Sequence, residues 1–148
     1  MATKFQLLQQ EVAMINRWMS MFDPSYPFNI MLPSPDSMII EGFPLPSGIK
    51  PDRLELCLLL DNYPSESPIG LYIRDTHDNR ILVKQIKEMF NVFQGDAYHG
   101  APSINGYHWV CLHYGSASDW SFNPENLHKG DCIYKFLERF HIRCKQLN

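Results

Sequence analysis

The sequence predicts one α+β domain over residues 1–148, from three observations. An apolar stripe at helical spacing opens the chain, four short strand-like segments follow between Pro- and Gly-rich turns, and helical periodicity returns near the end. With 148 residues, 45% hydrophobic and 20% charged, the chain holds enough apolar material for one core. No internal repeat and no low-complexity segment interrupts it.

The first helix starts at a capping box, Thr3 and Gln6, in which each side chain satisfies a backbone amide left open at a helix start. Phe5, Leu8, Val12, Ile15, Met19 and Phe22 then recur at spacings of three and four, and Asp23-Pro24 stops the helix. Residues 28–32 and 38–43 read as the first two strands, separated by the turn Pro33-Ser34-Pro35-Asp36. Residues 53–60 form the third, with Leu54, Leu56, Leu58 and Leu60 on one face at period two. Asp61-Asn62-Tyr63-Pro64 closes it, and residues 69–73 read as the fourth strand of an antiparallel meander. The period turns helical again over residues 81–93, through Ile81, Val83, Ile86, Met89, Phe90 and Phe93. Residues 94–105 read as a loop, residues 107–112 as a short apolar segment, and residues 113–122 as a second loop. A final helix is expected from Asn123 as cap and Pro124 in the first turn to about Phe140, with Ile133, Phe136, Leu137 and Phe140 facing inward.

Charge narrows the partners. The net charge is -3 and the 13 Lys and Arg residues are scattered, so no basic stripe suits nucleic acid. No run of about 18 apolar residues is present to span a membrane. The N-terminus carries no apolar signal region, which points to a cytoplasmic protein.

Four cysteines lack C-x-x-C pairing, so in a reducing compartment each is a small core residue or a reactive thiol. Cys57, within Leu-Glu-Leu-Cys-Leu-Leu-Leu, reads as core, as do Cys132 and Cys144 in the terminal helix and its tail. Cys111 differs: it closes an apolar segment and precedes the small polar stretch Gly115-Ser116-Ala117-Ser118-Asp119. A reactive thiol needs such exposure, because the thiolate is the nucleophile. His113 is placed to act as a base or to assist thiolate formation, although a histidine beside a cysteine is commonly an ordinary surface residue. Asp119 ends that stretch with a carboxylate able to orient a substrate group. Trp120 reads as packing that holds this loop against the last helix.

The ordered series Tyr63-Pro64, Pro68, Ala101-Pro102-Ser103-Ile104-Asn105, Cys111-Leu112, Trp120-Ser121 and Pro124 resembles the ubiquitin-conjugating enzymes over nearly the whole chain. Pro102 precedes Cys111 by nine residues, as that family's proline precedes its cysteine. The resemblance implies a UBC-like fold: an N-terminal helix, a four-stranded antiparallel meander, an inserted helix over residues 81–93, an active-site loop and a C-terminal helix. It implies that Cys111 holds a ubiquitin-like protein as a thioester and passes it to an amine, with no cofactor. Pro102, Leu112, Trp120, Pro124, Tyr63 and Pro64 would shape the site. Ser103 stands where the family has its oxyanion-stabilising asparagine, so Ser103 or Asn105 would assist the tetrahedral intermediate. The implied partners are a ubiquitin-like protein, an ATP-dependent activating enzyme that docks on the first helix, an amine-bearing target and a deconjugating metallopeptidase of the same operon. The early end after one post-cysteine helix is most similar to bacterial relatives from conjugation operons, some of which serve phage defence.

Three rivals compete. A non-catalytic variant of the fold would bind a ubiquitin-like protein without chemistry, but such variants commonly lack the cysteine. A metal site could draw on His108, Cys111 and His113 with His99 or His128, yet strand alternation sends His108 to the face opposite Cys111. A cysteine hydrolase would need a deep cleft and an orienting acid, and Ser116 and Ser118 lack a nucleophile elbow.

Overall fold

The computed structural model describes residues 3–22, 27–87, 91–93, 101–112 and 120–147. An N-terminal helix, α1 (Lys4–Met19), leads into strands β1 (Asn29–Ser34), β2 (Ser37–Pro44), β3 (Arg53–Leu59) and β4 (Leu71–Arg74). Helix α2 (His77–Ile86), strands β5 (Asn91–Phe93) and β6 (Tyr107–Cys111), and helix α3 (Ile133–Cys144) follow. The chain is α+β, as its periodicities predict.

The capping box forms as read: Gln6 N donates to Thr3 Oγ1 at 3.1 Å and Thr3 N to Gln6 Oε1 at 2.9 Å. Lys4 Nζ donates to Asp36 Oδ1 at 2.7 Å and to the Leu60 carbonyl at 2.5 Å, tying this helix start to the β1–β2 turn and the end of β3. Leu8, Ile15 and Met19 are fully buried, but Phe5 and Phe22 stay half-exposed. Glu11 and Trp18 complete the inward face instead. Asp23-Pro24 lies outside the described residues.

Strands β1 to β4 pair in sequence as an antiparallel meander, and the register puts Leu54, Leu56 and Leu58 on the face that packs against α1 and α3. Within β2 three steps oppose two on β3 between Ile40 and Phe43, a bulge that Gly42 permits at φ +80°. Here the expectation of four strands falls short. The sheet runs β1-β2-β3-β4-β6-β5, because Tyr107–Cys111 pairs along the far edge of β4 and the three-residue β5 then caps β6.

The inserted helix also differs from its expected span. It begins at Thr76, whose Oγ1 accepts from Asn79 N at 3.1 Å, while Asn79 Nδ2 donates back to the Arg74 carbonyl at 2.9 Å. Residues 91–93 belong to β5, so the apolar run 81–93 serves two elements. Asn-Val-Phe at its end suits an edge strand better than a helix terminus.

The last helix starts at Ile133, ten residues beyond Asn123, the expected cap, and runs to Cys144. Asn123 does accept from Glu125 N and Asn126 N, at 3.0 and 3.1 Å, but these bonds close only a local turn. A Cβ on Gly130 would stand 2.6 Å from the Ser121 carbonyl, and Asp131 exchanges hydrogen bonds with Ser121 through its own amide and carboxylate. That close approach folds residues 121–131 back on themselves before α3 can begin. Pro124 is exposed in the turn and starts no helix.

The sheet has two covered faces. Strand alternation puts Val110, Leu71, Ile73 and Leu54, Leu56 and Leu58 of β3 in the main core beneath the helices. Cys57, Tyr72, Trp109 and Ala101 form a smaller cluster on the opposite face, with Cys111 packed at its margin. Cross-strand pairing aligns Ile39, Cys57, Tyr72 and Trp109 in one row across four strands.

Candidate functional site

The four cysteines separate by burial. Cys57, Cys132 and Cys144 are 7%, 0% and 0% exposed, whereas Cys111 is half-buried; none forms a disulfide. Burial pushes the thiol of Cys57 up to about 11, with Glu55 adding to it, and that of Cys144 up to about 12. Cys132 is raised as well, chiefly by burial. These three are packing residues, as the sequence suggests, and poor nucleophiles.

Cys111 ends β6, a strand flanked on both sides, by β4 and β5. The next residue, Leu112, turns into the main core at 2% exposure. The chain is anchored again at Trp120, 8% exposed, whose Nε1 donates to the Pro64 carbonyl at 3.1 Å. The Tyr63 ring meets Trp120 and Phe122 edge-on, with centroids 6.0 and 5.8 Å apart. Trp120 therefore fixes its segment on Tyr63-Pro64, rather than serving only to hold a loop on the last helix. His113 and Asp119 lie outside the described residues.

Residues 101–104 cross the face on which Cys111 sits. Tyr72 Oη donates to the Pro102 carbonyl at 2.8 Å and Ala101 is buried beside Trp109. Pro102 and Ser103 have exposed side chains. The chain then turns through Asn105 and Gly106, the latter at φ +87°, with Tyr107 N donating to the Ile104 carbonyl. This turn stands at the start of β6, and Cys111 at its end. The strand alone spans about 13 Å at an extended rise, so Asn105 cannot place its amide beside Cys111 in this arrangement. Pro102 is held to Tyr72 on the face that Cys111 shares, whereas Leu112, Tyr63 and Trp120 pack into the main core on the opposite face.

Gly70, just ahead of β4, has φ +114°, and a Cβ there would lie 2.6 Å from Trp109 Nε1 and 2.8 Å from the Val110 carbonyl. Only a glycine permits the bond from Trp109 Nε1 to the Ile69 carbonyl, 2.9 Å, that seats the indole two residues before Cys111.

His108 points away from Cys111, as alternation requires. Its Nε2 lies 3.0 Å from Asp75 Oδ1, and Arg80 grips the same carboxylate at 2.7 and 3.1 Å. The hydrogen bonds from Arg80, and then from His108, hold the Asp75 carboxyl well below the usual carboxylate range. Among the described residues no three His, Cys, Asp or Glu side chains gather as metal ligands. A shallow hollow of about 300 Å³ lined by Pro27, Phe28, Asn29, Glu41 and Gly42 belongs to the β1–β2 side of the sheet, across the strand order from Cys111.

Glu11 is the residue that reading for motifs misses. It is fully buried, with Oε2 accepting from Tyr63 Oη at 2.5 Å and Oε1 from Ile133 N at 2.7 Å. Cys132, at the α3 N-cap, makes no side-chain cap bond, so Glu11 supplies the missing acceptor from another helix. Burial raises its carboxyl to about 7, against the lowering effect of both hydrogen bonds. The signal was a charged residue between Leu8 and Ile15 on the apolar stripe.

Compared with known proteins, the chain matches no family model, no curated protein and no solved structure.

Proposed function

We propose that this protein is an acyl carrier and transferase that holds a ubiquitin-like protein, through its C-terminal glycine, as a thioester on Cys111. The observation that carries the reading is the contrast among its thiols: three are sealed in packing, and Cys111 alone is half-buried, at the end of β6. In loading, the Cys111 thiolate attacks the thioester carbonyl on an activating enzyme; a new C–S bond forms and the donor thiolate leaves. In transfer, an amine attacks the same carbonyl, the C–N bond forms, and Cys111 departs as thiolate. The amine proton passes to a base, a role proposed for His113, with Asp119 orienting the amine and Ser103 near the developing charge. The partners on this reading are the activating enzyme, the modifier and an amine-bearing target, in a bacterial operon of the conjugation or phage-defence kind.

The distance along β6 between Asn105 and Cys111 favours a second reading, a module of the same architecture that binds a ubiquitin-like protein without transfer. One experiment separates them. The purified protein is incubated with a peptide thioester ending in Gly-Gly and its intact mass is recorded. A carrier gains one acyl mass that thiol reductant removes and that Cys111→Ala abolishes; a binding module gains none.

A further inference from the structure

We propose that Asn91 is a catalytic residue of the carrier: its amide donates a hydrogen bond to the oxyanion that forms when a nucleophile attacks the thioester carbonyl on Cys111. This deepens the carrier reading and rests on it. The placement comes from strand register. Asn91 opens β5 and Cys111 closes β6, and the two are direct partners in the antiparallel ladder, followed by Val92 with Val110 and Phe93 with Trp109. Residues paired in this way share one face of a sheet, with Cβ atoms about 5 Å apart. The pairing therefore puts Asn91 on the face that Cys111 shares with Trp109 and Tyr72, opposite the main core. An asparagine amide lies far enough beyond its Cβ to meet a carbonyl oxygen carried on the sulfur of a paired cysteine.

The chemistry asks for a donor at this position. Asn105 stands at the opposite end of β6. The donors beside Cys111 on its own face are committed elsewhere: Trp109 Nε1 to the Ile69 carbonyl at 2.9 Å, and Tyr72 Oη to the Pro102 carbonyl at 2.8 Å. Asn91 adds an amide, which donates without carrying charge. A carboxylate in its place would oppose both the thiolate and the oxyanion, and an amide opposes neither. The pair also ends the ladder on the outer strand of the sheet, and among the described residues no strand lies beyond it. In transfer, the amine nitrogen bonds to the carbonyl carbon, the C=O π pair moves onto oxygen, and Asn91 donates to that oxygen. Re-forming the C=O breaks the C–S bond, Cys111 leaves as thiolate, and the amine proton goes to the base. Loading passes through the same oxyanion, with the donor thiolate as leaving group.

The test uses the full chain as wild type, Asn91→Ala and Asn91→Leu, the last keeping the volume of the side chain without its donor. Each is loaded on Cys111 from the Gly-Gly peptide thioester, freed of donor and mixed with lysine, with intact masses followed over time. Loss of one oxyanion donor should slow transfer by on the order of a hundredfold in both variants. Alkylation of Cys111 by iodoacetamide passes through no oxyanion, so its rate in both variants should match wild type. A merely structural role would slow the two reactions together. Variants that transfer at the wild-type rate overturn the proposal, as do variants in which alkylation falls in step with transfer. A wild type that never loads overturns the carrier reading and the role of Asn91 with it, whereas one that loads and transfers independently of Asn91 overturns that role alone.

Discussion

Replacing Glu11 by Gln should flatten the pH dependence of stability. The carboxyl ionises near its ordinary 4.5 in the unfolded chain and at about 7 in the folded one. Between those values the folded state binds more protons than the unfolded, so stability falls as pH rises. The contribution is fully present below about 4.5 and lost as pH climbs through about 7. Integrating the proton difference gives a loss of roughly 2.5 kcal/mol between about pH 5 and pH 8 from this group. Glutamine keeps the shape and cannot ionise, so its variant lacks that loss. Urea unfolding of wild type and Glu11→Gln at both pH values isolates the effect as a double difference, in which the histidines and surface carboxylates cancel. The variant should gain roughly 2.5 kcal/mol on wild type between the two conditions. Curves that stay parallel would refute the reasoning, since they would mean that Glu11 ionises alike in both states.

Other perturbations follow from the geometry. Gly70→Ala forces an alanine to φ +114° against Trp109. Backbone strain and the displaced indole bond should together cost roughly 3 kcal/mol and lower Tm by on the order of 10 °C in a thermal melt. Asp75→Asn removes a carboxylate that Arg80 and His108 hold ionised. Stability from such a group is present above the ordinary carboxylate range and lost as pH falls, so the variant should show a shallower acid transition by circular dichroism. Brief treatment of native protein with N-ethylmaleimide should label Cys111 first, with Cys57, Cys132 and Cys144 reacting only after denaturation, as read by peptide mapping.

The legible parts of this fold were those where one local rule acts alone. Thr3 and Gln6 mark a helix start that forms as written, and the alternating leucines of residues 54–60 fix which face of β3 meets the helices. The burial of Cys57, Cys132 and Cys144 could be read from their apolar company. Elements whose ends depend on distant partners escape local rules. Residues 91–93 carry a helical period but pair with β6, because an open strand edge offers backbone hydrogen bonds that a frayed helix end lacks. Asn123-Pro124 is good helix-start chemistry, and it yields a turn because Gly130 and Asp131 close on Ser121. The helix start that does form depends on Glu11, 122 residues earlier, a capping partner that no local pattern reveals. For the site, apolar company separates three packed thiols from the half-buried Cys111, whereas the strand over residues 107–111 holds Asn105 at the end away from the cysteine.

Acyl discharge tests the central claim most directly. Protein loaded at Cys111 with a Gly-Gly peptide is freed of donor and mixed with lysine, and intact masses are followed against glutathione carrying the same peptide thioester. The acyl mass should leave Cys111 as lysyl-peptide appears in equal amount, faster than from glutathione. An acyl group that never loads on Cys111, or that leaves it no faster than from glutathione, would contradict it.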